Sequence, residues 1–233
     1  MTVALVTAGA QGLGGHLTEH LLGRGATVIA HFRSRRGELD RLAEVHGDRL
    51  VQVQADLTEA AGREALAAAA REAGRLDVLV NNLGVYPEAF LEDIDLDLWR
   101  QTIELTLTAN FHLTSLCTDL LAADGGGRVI NIGDSGADRI EARHQATPYH
   151  IAKVGVHMLT RTYAQILTGR GVTVNMVSPG FLANSVGEPG ELIPAGRKGA
   201  FEDMAAAMDF LLSEGAAYVS GTNILVNGGW NLG

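Results

Sequence analysis

Cysteine is almost absent from this chain. Cys117 is the only one among 233 residues, which excludes an intrachain disulfide and any metal site built from several cysteines. Positive charge is also scarce, because 18 lysine and arginine residues stand against 27 aspartate and glutamate residues, for a formal net charge of −9. This balance argues against a nucleic acid or an anionic membrane surface as the main partner.

Long hydrophobic runs and several enzyme signatures are missing as well. No apolar stretch approaches the ~20 residues of a membrane span, and the N-terminus lacks the basic segment of a signal peptide, so we expect a soluble cytoplasmic protein. The chain has no Gly-x-Ser-x-Gly sequence of a serine hydrolase. Its eight histidines are scattered without metal-ligand spacing, so no metal site is expected.

Short apolar segments alternate with helix-length segments along the whole chain. The predicted strands are Val3–Val6, Thr27–Ala30, Leu50–Gln54, Val78–Asn81, Arg128–Ile132, Thr173–Val177 and Asn223–Val226. The predicted helices lie near residues 12–24, 35–46, 59–73, 95–121, 148–168 and 201–213. This alternation is typical of βαβ units and of a parallel sheet covered on both faces. We therefore expect one doubly wound α/β domain over residues 1–233, with a loop near 181–199 that adjoins the substrate.

A glycine-rich turn follows the first predicted strand. It reads Thr7-Ala8-Gly9-Ala10-Gln11-Gly12-Leu13-Gly14 and leads into a predicted helix. Glycines at such a turn let the backbone approach a pyrophosphate, which binds at the helix N-terminus. The strand before and the helix after are the context that a dinucleotide site requires, the alternative being a tight turn without a ligand. Cofactor contacts are predicted from Thr7, Gly9, Gln11, Gly12, Leu13 and Gly14.

The end of the second strand indicates which dinucleotide is bound. A chain that binds NAD usually places a carboxylate there to hold the ribose 2′-hydroxyl. Here the segment reads His31-Phe32-Arg33-Ser34-Arg35-Arg36 and contains no carboxylate. A guanidinium suits a 2′-phosphate, so we predict NADP(H) as the cofactor, bound by Arg33 and Ser34. The alternative is a solvated basic loop at the start of a helix.

Tyr149 and Lys153 are four residues apart in a predicted helix. That spacing places both side chains on one helix face. A phenol normally titrates near pH ~10, and a nearby ammonium group favours the phenolate and lowers the phenol pKa. The pair is therefore predicted to give a proton to a developing alkoxide, or to take one from an alcohol.

With these three features, the chain resembles the short-chain dehydrogenase/reductase family over nearly its whole length. Asp56 looks like the family's adenine-binding aspartate, Asn81-Asn82-Leu83-Gly84 is similar to its Asn-Asn-Ala-Gly motif, and Pro179-Gly180 resembles the turn that bounds the nicotinamide. The resemblance implies a Rossmann-type fold with a seven-stranded parallel sheet, and a proton donated by Tyr149. It also implies that Lys153 lowers the pKa of Tyr149 and holds the nicotinamide ribose. The further cofactor contacts that it implies are Asp56, Leu57, Asn82, Gly84, Tyr149, Lys153, Pro179, Gly180 and Phe181.

The chain departs from the family at the catalytic serine. Asp134 occupies that position after the fifth strand and Ser135 follows it, at 15 and 14 residues before Tyr149. An aspartate there is similar to the pteridine and dihydromonapterin reductases of the family, which reduce a C=N bond. In the alternative interpretation, Asp134 caps a turn and Ser135 polarises the substrate oxygen. Both residues are candidate catalytic groups.

Other departures concern the turn, the fourth helix and the substrate loop. Ala8 stands at the family's usual first glycine, and Thr106 stands at its active-site asparagine, with Asn110 one turn further on. Asn184 or Ser185 is expected to replace the threonine that binds the carboxamide in the family. The short loop that contains them predicts an open site for a bulky or flat substrate.

His144 and His150 are expected near the site but exposed to solvent.

The predicted function is NADPH-dependent reduction of a C=O group, of a ketone or a 3-oxoacyl compound, with Tyr149 as proton donor. The alternatives are reduction of a C=N bond with Asp134, or an NADP-binding regulatory protein without chemistry. The expected partner is a small carbonyl or imine compound, with no nucleic acid and no membrane. By the family resemblance, the chain is expected to form a homodimer or homotetramer.

Overall fold

The computed structural model describes residues 2–123, 125–185 and 193–231 of the chain. Its strands are β1 (Val3–Val6), β2 (Thr27–Phe32), β3 (Leu50–Gln54), β4 (Val78–Asn81), β5 (Arg128–Ile132), β6 (Thr173–Pro179) and β7 (Asn223–Val226). They form a seven-stranded sheet in the order β3-β2-β1-β4-β5-β6-β7. Every neighbouring pair is parallel. The predicted doubly wound Rossmann-type sheet is thereby confirmed.

The helices cover both faces of this sheet. They are α1 (Gly12–Gly23), α2 (Leu39–His46), α3 (Ala60–Glu72), α4 (Leu96–Ile103), α5 (Ala109–Leu121), α6 (Thr147–Leu167) and α7 (Phe201–Leu212). Alternate residues of β1 supply the two cores, because successive side chains of a strand point to opposite faces. Ala4 and Val6 pack with α1, α2 and α7, whereas Val3 and Leu5 pack with α3, α5 and α6.

Two predicted helices were wrong in their extent. The helix predicted over 35–46 begins only at Leu39, since Gly37 has a φ of +53° and the Glu38 N–H donates to the Ala10 carbonyl at 2.9 Å. The helix predicted over 95–121 is divided by a π-helical turn at Glu104–Thr108. A π turn inserted between α-helical segments is frequent at functional sites.

The strand order reverses between β1 and β4, which both lie in the middle of the sheet. In open α/β sheets, ligands bind beyond the carboxyl ends of the strands at such a reversal. The segments that follow β1 to β6 carry the predicted cofactor and catalytic residues. Within the described residues, no helix is both long and apolar enough to span a membrane.

Candidate active site

The turn after β1 is held in place by two polar side chains. Thr7 Oγ1 accepts hydrogen bonds from the backbone N–H groups of Asn82 and Leu83, both at 2.9 Å. Asn82 Nδ2 donates to the carbonyl oxygens of Thr7 and Ala8 at 3.0 and 3.3 Å. These bonds join the turn to the end of β4 across the strand reversal. Thr7 and Asn82 thus shape the cradle in which a cofactor would lie.

His31 is a second support of this turn, and its role was not predicted from the sequence. The Ala8 N–H donates to His31 Nδ1 at 3.0 Å, while His31 Nε2 lies 3.0 Å from the Ala55 carbonyl oxygen. One ring nitrogen must accept and the other must donate, which requires the neutral imidazole. Burial lowers the pKa of His31, in agreement with that state. The ring thereby connects the turn, β2 and the segment after β3.

The start of α1 fits a pyrophosphate. Gln11 precedes the helix without a side-chain cap, and the first N–H groups of a helix have no acceptor within it. Gly12 has a φ of +55°, and a Cβ placed on Gly14 would overlap the Ala8 carbonyl oxygen. The backbone therefore approaches closely at these glycines, and the helix N-terminus offers donors to an anion.

The basic segment after β2 lies at the protein surface. Arg33, Ser34 and Arg35 are exposed, and Arg36 is paired with Asp40 at 3.3 Å. Within the part of the chain that the structure describes, Arg33 forms no ion pair, although its charge contributes to a lowered pKa of Asp56. That lowering comes first from the Thr58 N–H and hydroxyl, which donate to Asp56 Oδ1 at 2.9 and 2.7 Å. Arg33 thus stands beside the predicted adenine site with its guanidinium available for a phosphate.

Tyr149 and Lys153 lie on α6 beside the ends of β4 and β5. Lys153 is buried, and its Nζ donates to the Ile132 carbonyl at 2.6 Å. The same Nζ lies 5.5 Å from the centroid of the Tyr149 ring. A Cβ on Gly84 would come within 3.2 Å of Lys153 Nζ, so this glycine leaves room for the ammonium group. The structure brings together the pair that the sequence predicted.

In this arrangement, burial and nearby charge outweigh the expected lowering of the Tyr149 pKa by Lys153. Burial, followed by the charge of Asp134 and the neighbouring Tyr86, raises the Tyr149 pKa above its ordinary value. Burial also lowers the pKa of Lys153 to about 8, against a smaller opposing effect of Asp134. The physical reason is that desolvation disfavours both charged forms, while the Lys153 ammonium donates to a backbone carbonyl.

Asp134 and Ser135 occupy very different surroundings. The Ser135 side chain is completely buried, and its Oγ has no hydrogen-bond partner among the described residues. The Asp134 side chain is only partly buried, and its Oδ1 accepts the Gly136 N–H at 2.9 Å. Its negative charge raises the pKa of both Tyr149 and Lys153. Of these two side chains, Asp134 is the one that is partly exposed and whose charge acts on Tyr149 and Lys153.

Tyr86 and His150 also belong to this site. The Tyr86 ring lies edge-on to Tyr149 with 5.1 Å between centroids, and 6.0 Å from the His150 ring. His150 Nδ1 is 3.9 Å from Asp134 Oδ1. The expectation of a solvent-exposed His150 was therefore wrong, because its side chain is largely buried; His144 is exposed as expected. Tyr86 was missed, although its position two residues after the Asn-Asn-Leu-Gly motif was a usable signal.

Thr106 lies in the π turn, and Asn110 lies in the first turn of α5. Thr106 is buried, and its Oγ1 accepts the Val85 N–H at 3.2 Å. Asn110 Nδ2 donates to Asn131 Oδ1 at 3.0 Å, and that oxygen also accepts Asn81 Nδ2 at 2.9 Å. Asn110 thus belongs to a buried amide network between β4, β5 and α5. Thr106 instead fixes the backbone next to Gly84.

The segment after β6 closes the other side of the cradle. Pro179 accepts the Ser135 N–H at 3.1 Å, and Phe181 packs edge-on against Trp230 at 4.8 Å. The Asn184 amide nitrogen would lie 3.4 Å from a Cβ on Gly12, so it faces the glycine turn. Ser185 Oγ accepts the Leu182 N–H at 2.9 Å. Of the predicted loop, residues 186–192 lie outside the described residues.

These side chains together can hold a dinucleotide and move one proton. The start of α1 offers backbone donors to an anion, and the exposed Arg33 offers a guanidinium after the end of β2. Tyr149 and Lys153 lie near the ends of β4 and β5, and the charge of Asp134 acts on both of them. Within residues 2–123, 125–185 and 193–231, no group of side chains is arranged to hold a metal ion.

Comparisons with known proteins agree with this geometry. A family model described as Enoyl-(Acyl carrier protein) reductase matches residues 7–231. The chain is 32% identical to the 3-oxoacyl-[acyl-carrier-protein] reductase FabG of Haemophilus influenzae, over 97% of each sequence. It is 31% identical to D-threitol dehydrogenase of Mycolicibacterium smegmatis, over 99% of this chain and 93% of that protein.

A solved structure of acetoin dehydrogenase YohF from Salmonella typhimurium shows the same fold. It superposes with a TM-score of 0.89 at 29% identity, over 99% of this chain and 96% of that one. The match of the family model over nearly the whole sequence, together with relatives above 30% identity, establishes the family. The chain belongs to the short-chain dehydrogenase/reductase family, whose members are oxidoreductases that use a nicotinamide cofactor.

Proposed function

We propose that this protein is an NADPH-dependent reductase of a C=O group, of a ketone or a 3-oxoacyl compound. One observation carries the proposal: Tyr149 lies against a buried Lys153 whose Nζ is held by the Ile132 carbonyl at 2.6 Å, beside the strand reversal where the cofactor cradle lies. FabG, at 32% identity, supports a 3-oxoacyl substrate. A protein named D-threitol dehydrogenase is also 31% identical to this chain. Chains of this degree of similarity are therefore named for different substrates.

Tyr149 and Lys153 have different roles in the proposed reaction. When bound, the nicotinamide supplies the hydride. Tyr149 donates its phenolic proton to the substrate oxygen as negative charge develops there. Lys153, which is protonated at neutral pH given a pKa of about 8, stabilises the phenolate that remains. Much of the lowering of the barrier would come from holding substrate and proton donor in line.

Arg33 is proposed to select NADPH over NADH. Its guanidinium is exposed at the end of β2, and a planar guanidinium binds a phosphate through two parallel hydrogen bonds. No carboxylate stands in the segment between His31 and Arg36, where a chain that binds NAD would need one. Ser34 is proposed to add a hydroxyl donor to the same phosphate.

Turnover of a substrate panel tests the enzymatic function. The panel contains ketones, 3-oxoacyl thioesters, quinones and dihydropterins, and oxidation of NADPH is followed by absorbance. We expect Tyr149→Phe to lose turnover of the best substrate by at least ~10²-fold, with NADPH affinity nearly unchanged. A chain that binds NADPH but reduces nothing in the panel would instead be the regulatory alternative.

Reduction of a C=N bond is a second candidate, which the surroundings of Asp134 favour. An ionised carboxylate accepts hydrogen bonds but donates none, so it opposes a developing alkoxide and suits a substrate with an N–H donor. The reduction of a ketone would be helped by a hydroxyl that donates to the substrate oxygen. The Ser135 hydroxyl is fully buried, so among the described residues next to Tyr149 the substrate would meet the Asp134 carboxylate instead. Asp134→Ser should improve ketone turnover and impair imine turnover if the natural substrate contains C=N. An Asp134→Ser enzyme that loses ketone turnover and keeps or gains imine turnover would support the C=O assignment.

We also propose that the protein forms a homodimer or homotetramer. Several large apolar side chains of α5 and α6 are exposed: Phe111, Ile151, Met158 and Ile166. Exposed apolar groups concentrated on two helices mark a contact surface more often than isolated ones do. Sedimentation equilibrium of the wild-type chain and of Met158→Glu would test this proposal. A monomeric wild-type chain would contradict it.

A further inference from the structure

His150 lies in a small cluster with Tyr86, Asp134 and Tyr149, which we call the His150 cluster. Its Nδ1 is 3.9 Å from Asp134 Oδ1. Its ring is edge-on to both tyrosines, with centroids 5.3 Å from Tyr149 and 6.0 Å from Tyr86. The proton donor Tyr149 and the carboxylate Asp134 thus share one titratable neighbour, which the proposed mechanism does not use.

The titratable groups that face His150 come from three elements, and the charged ones come from the segment between β5 and α6. Asp134 and Glu141, on the segment between β5 and α6, raise its pKa, and Arg143 on the same segment lowers it. Burial lowers it more than any of these. Arg143 forms an ion pair with Glu141, so these two charges largely cancel. The uncharged phenols of Tyr86, after β4, and Tyr149, on α6, complete the surroundings, which leaves Asp134 as the charge that His150 can neutralise.

We propose that protonated His150 pairs with Asp134 and cancels the negative charge that opposes proton release by Tyr149. His150 is then a positioning residue that acts through Asp134, and the kinetic part of this inference rests on the proposed function. When Tyr149 gives up its proton, a phenolate forms close to the Asp134 carboxylate. Two neighbouring negative charges repel, so an imidazolium at 3.9 Å from the carboxylate lowers the cost of that step.

The pairing is tested first by nuclear magnetic resonance, without any substrate. The imidazole pKa of His150 is measured from ring resonances in the wild-type chain and in Asp134→Asn, with His150→Gln used to assign the signal. An opposite charge at this distance shifts a pKa by ~1 to 3 units, so we expect the His150 pKa to fall by about one unit in Asp134→Asn. An unchanged His150 pKa would overturn the pairing.

The kinetic consequence is tested by the pH dependence of kcat. We expect wild-type kcat for a carbonyl substrate to rise about threefold or more as His150 becomes protonated below neutral pH. His150→Gln should lose this rise. The matched control is His144→Gln, because His144 is exposed and lies on the same segment as Arg143; it should keep the rise.

The two tests separate the inference from the proposed function. Persistence of the acidic rise in His150→Gln would overturn the inference even if the enzyme is an active reductase. Failure to reduce any carbonyl or imine would refute the proposed function, and the pairing would then be decided by the resonance titration alone. A purely structural role of His150 would change stability or KM without removing the pH-dependent step in kcat.

Discussion

Ser135→Ala is the substitution that most directly separates the two candidates for the third site residue. The Ser135 side chain is completely buried, and its hydroxyl has no hydrogen-bond partner among the described residues. Its backbone N–H, which donates to Pro179 at 3.1 Å, remains after the substitution. Alanine therefore removes one unpaired polar group and leaves the local backbone unchanged.

The expected effect on stability follows from the cost of that hydroxyl. A buried hydroxyl without a partner costs about 1 to 3 kcal/mol in protein mutational data. We expect the free energy of unfolding to increase by about 1 kcal/mol, which for a domain of this size raises Tm by ~2 to 4 °C. Because no substrate reaches a fully buried side chain, kcat/KM should stay within about twofold, whereas loss of a catalytic donor costs ~10²-fold or more.

Ser178→Ala is the matched control for this measurement. Ser178 is also completely buried, but its Oγ donates to Asn223 Oδ1 at 2.6 Å. Removing that hydroxyl leaves a partly buried acceptor unpaired and should destabilise the fold by about 1 to 2 kcal/mol. Urea denaturation and steady-state kinetics on both variants give the comparison. A Ser135→Ala enzyme that loses stability, or ~10²-fold in kcat/KM, would refute this reasoning and restore Ser135 as the third residue.

Three further predictions concern the turn, the cofactor and the buried lysine. Ala8 has a φ of +50°, and a left-handed backbone is costly for alanine but not for glycine. Ala8→Gly should therefore increase the free energy of unfolding, measured by urea denaturation, by about 0.5 to 1 kcal/mol. A loss of stability would show that the Ala8 backbone is not strained. Arg33→Ala should weaken NADPH binding by about tenfold or more and NADH binding much less, as measured by calorimetry. Arg35→Ala is the control. Equal losses of NADPH and NADH affinity would remove the assignment of Arg33 to the 2′-phosphate. The Lys153 pKa of about 8 lies below its value in an unfolded chain, so between pH ~8 and ~10.5 the unfolded state binds more protons and stability rises with pH. Compared with Lys153→Met, the wild-type chain should gain about 1 kcal/mol per pH unit in that range; parallel stability curves would show that Lys153 keeps its ordinary pKa.

Much of the fold could be predicted from the sequence because the pattern is strongly periodic. The predicted strands match the observed ones closely, since apolar runs buried on both sheet faces admit few other interpretations. β2 and β6 each extend two residues further than predicted, to Phe32 and Pro179. These additions come from pairing with neighbouring strands, which a single segment does not reveal. The start of α2 was predicted too early because the contact between Glu38 and Ala10 joins distant segments.

The site was predictable in its residues and less so in its electrostatics. Tyr149 and Lys153 were identified from their helical spacing together with the glycine-rich turn and the family resemblance, and Arg33 from its place after β2. The sequence could not show that the Lys153 ammonium binds the Ile132 carbonyl, nor that burial dominates the pKa of both groups. It also left Asp134 and Ser135 open, because a one-residue difference in a loop decides which side chain is buried.

The charges around Tyr149 favour proton donation over proton abstraction. Burial and Asp134 raise the Tyr149 pKa, so the phenol keeps its proton throughout the neutral range. Lys153, with a pKa of about 8, is still mostly protonated at pH 7 and can stabilise the phenolate only once donation has begun. A site that begins protonated at both positions is prepared to complete the reduction of a C=O or C=N bond. Oxidation of an alcohol would first require loss of the Tyr149 proton beside a carboxylate, which this arrangement opposes.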